Sequence, residues 1–334
     1  MRRPIPGCGM REARAGIAGL VLFAAVAVLS PMLATDRPLV ARDGGRWSFP
    51  AAAAYPFLGS RGRAWSGRPV LRAPVPYSPY GIALGERLEA PSSRHWLGTD
   101  DLGRDVLARL IAATPVSLAI GLVASSLSMV LGLAIGGAAG AAGGVVDLVL
   151  SRVMEIVLCF PTLFFVLALV AILEPSVSTI IVAIGLTSWP NEARYARAEI
   201  LRTRRLDFVR ASRAAGAGPL RIFWRHLLPS AMPPVLVSAT FGVASAILAE
   251  SALSFLGIGV PPPQPSWGGL LALSESYADR AWWLAVFPGL AIFSAVAAYN
   301  LGGEAWRKRL GESVALVPAG PFRRRAAGPS EEIV

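Results

Sequence analysis

Six apolar runs, each about 20 residues or longer, divide this sequence, and a run of that length crosses the hydrocarbon core of a bilayer as a helix. Inside lipid every backbone polar group needs an internal partner, so long unbroken runs of this kind admit helices only. The runs cover residues 15–34, 115–137, 153–173, 177–200, 233–259 and 281–301. They predict an all-α membrane protein with six transmembrane helices. Composition agrees, with 54% hydrophobic and 16% charged residues, where soluble chains carry about 25% charged. The first run follows Arg2, Arg3, Arg11 and Arg14 and lacks a clean small-x-small site near Ala34, which favours an uncleaved anchor over a signal peptide.

The fourth run is the weakest, because Pro190, Glu192, Arg194 and Arg197 interrupt its second half. Charge decides it. Nine arginines lie between Arg194 and Arg225 against three acids, Glu192, Glu199 and Asp207, and short basic loops stay in the cytoplasm. With the Arg-rich N-terminus also inside, four spans must precede that loop. The sixth span ends at Arg307-Lys308-Arg309, and the tail holds Arg323-Arg324-Arg325, so both termini are expected in the cytoplasm of a multi-pass inner-membrane protein. The expected organisation is a cytoplasmic start (1–14), a first span (15–34), an extracytoplasmic loop (35–113), a five-helix core (114–309) with a cytoplasmic loop at 199–230, and a mobile cytoplasmic tail (310–334). The loop is rich in Pro, Gly and Arg, shows neither helical nor strand periodicity, and reads as extended chain.

Several chemistries are excluded. Lys308 is the only lysine and lies outside any Gly-Lys-Ser/Thr context, so the chain lacks a P-loop for ATP. Histidines are two, His95 and His226, and the two cysteines, Cys8 and Cys159, form no CxxC pair, so neither a metal centre nor a disulfide framework is indicated. No cofactor is expected. The net charge of +11 sits largely on the cytoplasmic side of the expected topology and is not a nucleic-acid signature.

The basic loop is the most informative stretch. Asp207 is placed to cap a short helix and Gly216 to end it by taking a left-handed conformation. Pro219 suits the first position of a second helix, and Pro229 falls at its end. Leu220, Phe223, Trp224, Leu227 and Leu228 share one face of that helix, away from Arg221 and Arg225. Such a helix suits the surface of an anionic bilayer. The small residues Ala211, Ser212, Ala214 and Ala215 instead allow another protein to approach closely. Ahead of the second span, Thr99 or Asp100 is placed to cap a helix on which Asp105 and Arg109 pair at i,i+4. His95 with Asp100, Asp101 and Asp105 could suggest a metal site, but no second histidine or placed nucleophile accompanies them. Glu250 lies within the fifth span, where an acid must face protein or water. A pathway role, with Ser251 and Ser254, and a structural carboxylate are equally open for it. Asp147, Arg152 and Glu155 cluster at the inner end of the third span, and glycines at 132, 136, 140 and 144 recur every fourth residue, which permits close helix approach.

The basic loop resembles the EAA loop of permease subunits of ATP-binding-cassette (ABC) importers. Ala211, Gly216, Leu228 and Pro229 fit that pattern, while Arg210 replaces its Glu and Ser212 its second Ala. Residues 95–110, which include His95, Gly98, Thr99, Asp100, Gly103, Arg104 and Asp105, are similar to the segment before the second span of dipeptide and oligopeptide permeases of the C-subunit type. Residues 247–257 and the Pro-rich 261–268 carry the same resemblance. The insert, at 36–39, 45–50 and 74–78, looks like the branch that imports larger peptides. The resemblance implies a MetI-like type I importer core that forms half of a translocation pathway. It implies, as partners, a second permease subunit, two cytoplasmic ATPases and an extracytoplasmic peptide-binding protein. The loop residues Asp207, Arg210, Ala211, Ser212, Ala215, Gly216 and Pro229 would meet an ATPase. The competing expectation is an ion-coupled secondary transporter that uses Glu250.

Overall fold

The computed structural model describes residues 8–43, 46–51 and 68–315. Ten helices and one small sheet make up its named elements: α1 (Cys8–Leu33), β1 (Val40–Asp43), β2 (Arg46–Ser48), β3 (Arg68–Leu71), α2 (Val106–Ala142), α3 (Gly144–Cys159), α4 (Thr162–Ile172), α5 (Val177–Thr203), α6 (Asp207–Ala214), α7 (Pro219–Ile222), α8 (Leu228–Phe255), α9 (Trp267–Tyr277) and α10 (Trp283–Ala315). Four helices are each long and apolar enough to cross a membrane: Ala13–Leu33, Val106–Ala142, Pro219–Phe255 and Trp283–Lys308. The expected third span is not one rod. It is the pair α3 and α4, bent by 84°, and counts as a fifth crossing if the two act as one span. The break falls where Phe160 takes an extended backbone ahead of Pro161, which disfavours helix in the residue before it and supplies no N–H. α5 has 27 residues but carries the charges noted above in its second half, so length and apolarity alone do not make it a crossing.

α2 is central and packs most extensively against α5. The glycine stripe explains the closeness. A Cβ at Gly132 would strike Glu192, one at Gly136 the Ala193 backbone, and one at Gly140 would lie 2.9 Å from the Ile200 side chain. The fourth member, Gly144, faces no neighbour; it follows Gly143 in a turn where both have positive φ, +55° and +71°. At this end of the bundle, arginines at the end of α5 reach α2 and α3. Arg204 donates to the Gly140 carbonyl (2.6 Å), and the Arg197 guanidinium grips both oxygens of Asp147, with Nη2 2.7 Å from Oδ2. Asp147 therefore leaves the expected cluster, in which Arg152 and Glu155 pair with each other on the exposed face of α3.

The insert corrects a second expectation. Residues read as extended chain form a three-stranded antiparallel sheet in the order β2-β1-β3. Its strands have three or four residues each, too short to show the period of two that would reveal them. At the far end, α10 runs on to Ala315, past the expected start of the tail at 310, and residues 316–334 lie outside those described.

Candidate functional site

Three sets of residues singled out in the sequence occupy three separate places. The first closes the insert onto α2. Asp105, not Thr99 or Asp100, is the N-cap of α2: its Oδ1 accepts from the Ala108 N–H at 2.7 Å. Its Oδ2 meets Nδ1 of buried His95 at 2.9 Å, and His95 Nε2 lies 3.3 Å from Glu86. The expected Asp105–Arg109 pair does not form. Arg109 binds Asp100, a fully buried carboxylate that also accepts from the Leu102 and Arg104 N–H groups (2.9 Å each) and from Arg104 Nε (2.7 Å). Gly98 and Gly103 adopt φ of +76° and +72°, and a Cβ on either would collide with the Glu89 or Ala83 carbonyl. Trp283 Nε1 donates to the Thr99 carbonyl at 3.1 Å and ties α10 to the same turn. These side chains point inward, and their geometry is that of a clamp.

The second set is the basic loop. Asp207 does not cap α6. Leu206 is the N-cap and offers no side-chain bond, while Asp207 lies in the first turn, where its charge suits the helix N-terminus. Gly216 has φ +85° just after α6, as the sequence requires of it. Pro219 opens α7 at N1. Pro229 does not end the helix. Residues Phe223–Leu227 form a π-helical turn in which the Leu228 N–H reaches back to the Phe223 carbonyl, and the chain continues as α8. The wider turn absorbs a proline that has no N–H to give.

The amphipathic face expected from Leu220 to Leu228 splits in two. Ile222 and Leu227 are buried with Val209, Ile200 and Ala231, whereas Leu220 and Trp224 are exposed. Val209 thus anchors α6 in a buried cluster shared with residues of α5, α7 and α8. Arg210, Ala211, Arg213, Ala214 and Ala215 remain on its open side. Ser212 Oγ lies 3.2 Å from His226 Nε2, and Phe208 meets the same imidazole edge to face. His226, unassigned from the sequence, links α6 to the π-helical turn.

The third set is Glu250, Ser251 and Ser254, all buried on α8. Glu250 Oε1 accepts from Ser254 Oγ and from Ser266 Oγ, each at 2.7 Å. Ser266 also caps α9 through the Gly269 N–H. The carboxyl thus joins α8 to the start of α9. Because Glu250→Gln keeps the accepting oxygen, it should leave stability within about 1 kcal/mol of the parent, while Glu250→Leu should lose about 2 kcal/mol by orphaning both hydroxyls. Thermal unfolding of the detergent-purified protein decides; equal losses would dispose of the bridging role.

None of those three residues lines a polar cavity found within the bundle. That cavity, about 560 Å³, lies between α2, α4, α5 and α8, and its polar lining includes Ser128, Ser188, Asn191, Glu192, Tyr195 and Ser245. The sequence treated Glu192 only as an interruption. The signal was present: positions 188, 191, 192 and 195 are polar at helical spacing and share one face of α5.

Several apolar helices of crossing length, packed through glycines around a polar cavity, define a multi-pass helical membrane protein. Its particular kind follows from sequence comparison. The model of the family described as binding-protein-dependent transport system inner membrane component matches residues 108–314, and the chain belongs to that family. It is 43% identical over 223 residues to the di/tripeptide transport system permease protein DppC of Pseudomonas aeruginosa (strain UCBPP-PA14), covering 67% of this chain and 74% of that one. It is 46% identical over 222 residues to the dipeptide transport system permease protein DppC of Escherichia coli (strain K12), covering 66% and 74%. Among solved structures, an inward-facing conformation of the MetNI methionine ABC transporter matches with a TM-score of 0.51 and 18% identity, covering 62% of this chain and 97% of that one. That likeness supports the type I importer permease fold.

Proposed function

We propose that this chain is one of two permease subunits of an ATP-driven, binding-protein-dependent peptide importer and forms half of its translocation pathway. It is not itself an ATPase; energy comes from two cytoplasmic ABC subunits, and cargo arrives on an extracytoplasmic peptide-binding protein. The relatives named above supply the peptide class. In this reading six spans cross the inner membrane with α5 as the fourth, both termini are cytoplasmic, and the insert faces outward.

The observation that carries the reading is the seating of α6. A short helix buries Val209 in a cluster shared with the ends of α5 and α8, and it turns a small-residue and arginine face outward. That is the geometry of a part that receives a push from another protein and passes it to the membrane helices. Arg210, in place of the family glutamate, adds a cation to that contact face. The ion-coupled alternative draws no support from the cavity, since Glu250 lies outside it and its Oε1 is held by two serine hydroxyls.

Ala211→Trp tests the coupling. Ala211 is exposed, so the bulky ring should leave insertion and folding intact while blocking close approach of an ATPase. Reconstituted with its partners, the variant is expected to lose at least tenfold in ATP-driven peptide uptake. Undiminished uptake would remove α6 from the coupling role.

A further inference from the structure

Glu192 presents an unusual combination. It is only 4% exposed, it lies in the wall of the polar cavity, and it has no cationic partner among the described residues. Oε1 accepts from Ser238 Oγ on α8 at 3.0 Å, while Oε2 has no hydrogen-bond partner. The nearest arginines of α5 serve elsewhere. Arg197 is taken by Asp147, and Arg194 lines an adjoining cavity, which shares Asn191 and Tyr195 with this one. Room beside the carboxylate is maintained by Gly242, where a Cβ would stand 2.8 Å from Ser125 Oγ and 3.8 Å from Glu192 Oε1. A buried acid with an unmade bond is costly, and within a membrane such a group marks a pathway or a ligand site.

From this arrangement we infer that Glu192 is a cargo-selecting residue, whose free carboxylate oxygen receives a cationic side chain of the peptide in transit and disfavours an acidic one. The inference rests on the permease reading above and names a preference within it. Oε2 is enclosed in this state, so a lysyl ammonium entering the cavity would meet it on a turn of the carboxylate and complete the missing bond with a charge-assisted one, and Asn191, Tyr195 and the serines would hold the polar backbone around it. An acidic side chain in the same place would meet a second carboxylate with no cation between them.

The test uses the complete importer in proteoliposomes, with one unaltered binding protein throughout and radiolabelled Ala-Lys-Ala, Ala-Ala-Ala and Ala-Glu-Ala as probes. Because capture by the binding protein is identical in every sample, a change in the ratio of rates originates in the membrane subunits. The Lys-to-Glu uptake ratio of the parent should fall about tenfold in Glu192→Gln, and Glu192→Asp should keep most of it. An unchanged ratio in Glu192→Gln overturns the inference, whether or not the absolute rates drop, since a purely structural role or a salt bridge to the second permease would slow all three peptides alike. If the parent complex imports none of the peptides on ATP addition, the permease reading itself fails and this proposal falls with it, a result that does not depend on residue 192.

Discussion

Gly136→Val is expected to destabilise the bundle by about 3 kcal/mol or more and to remove most of the folded protein from the membrane fraction. The added Cβ alone would enter the space of the Ala193 backbone, and no rotamer change relieves a collision with main chain. α2 and α5 would have to separate, and with them the contact that organises the remaining helices. Gly289 on α10 is the control, because a Cβ there meets nothing within 4 Å. Gly289→Val should unfold within a few degrees of the parent. Melting curves of the two purified variants compare them directly, and coincident curves would mean that the glycine stripe does not set the helix distance.

Asp100→Asn is expected to cost about 3–5 kcal/mol, since it leaves the buried Arg109 guanidinium without its anion. Asp100 is fully buried and Arg109 is 7% exposed, so water does not replace the lost partner. The amide would also turn N–H donors toward the donors of Arg104 and Arg109. If the penalty is an uncompensated buried charge, Asp100→Asn combined with Arg109→Met should recover a substantial part of it. Strictly additive losses in the double variant would show that the pair is not coupled.

Four of the six expected spans are legible because bilayer thickness fixes the length of an apolar run. α5 is legible as a helix, but its role as a span rests on charge alone, since its second half is polar where it lines the cavity. The 84° break at Phe160 and Pro161 escaped notice: both neighbouring segments are apolar, and apolarity says nothing about direction. Around residues 99–109 the elements were right and the partners wrong. Three aspartates and two arginines crowd eleven residues, and only the turns at Gly98 and Gly103 decide that Asp105 caps and Asp100 pairs. Glu250 drew attention as an acid in mid-span, but its second partner, Ser266, comes from a segment sixteen residues on. Glu192 was hidden by the opposite error, since residues that weaken a span are easily read as noise.

The packing of α5 has a mechanical consequence. Below Pro190, the one position in this helix where a backbone hydrogen bond is missing by chemistry, Glu192 and Ile200 ride on the same uninterrupted shaft. Eight residues of helix separate them by about 12 Å. Ile200 belongs to the buried cluster that also takes in Val209 of α6. A tilt of about 10° imposed at the loop and pivoting near Pro190 would swing Ile200, about 15 Å from the pivot, by roughly 2.6 Å and rotate the carboxylate near the fulcrum by the same angle while barely translating it. In the proposed coupling, effort would be applied at one end of a rod, and the polar face by which cargo would pass sits almost at the hinge.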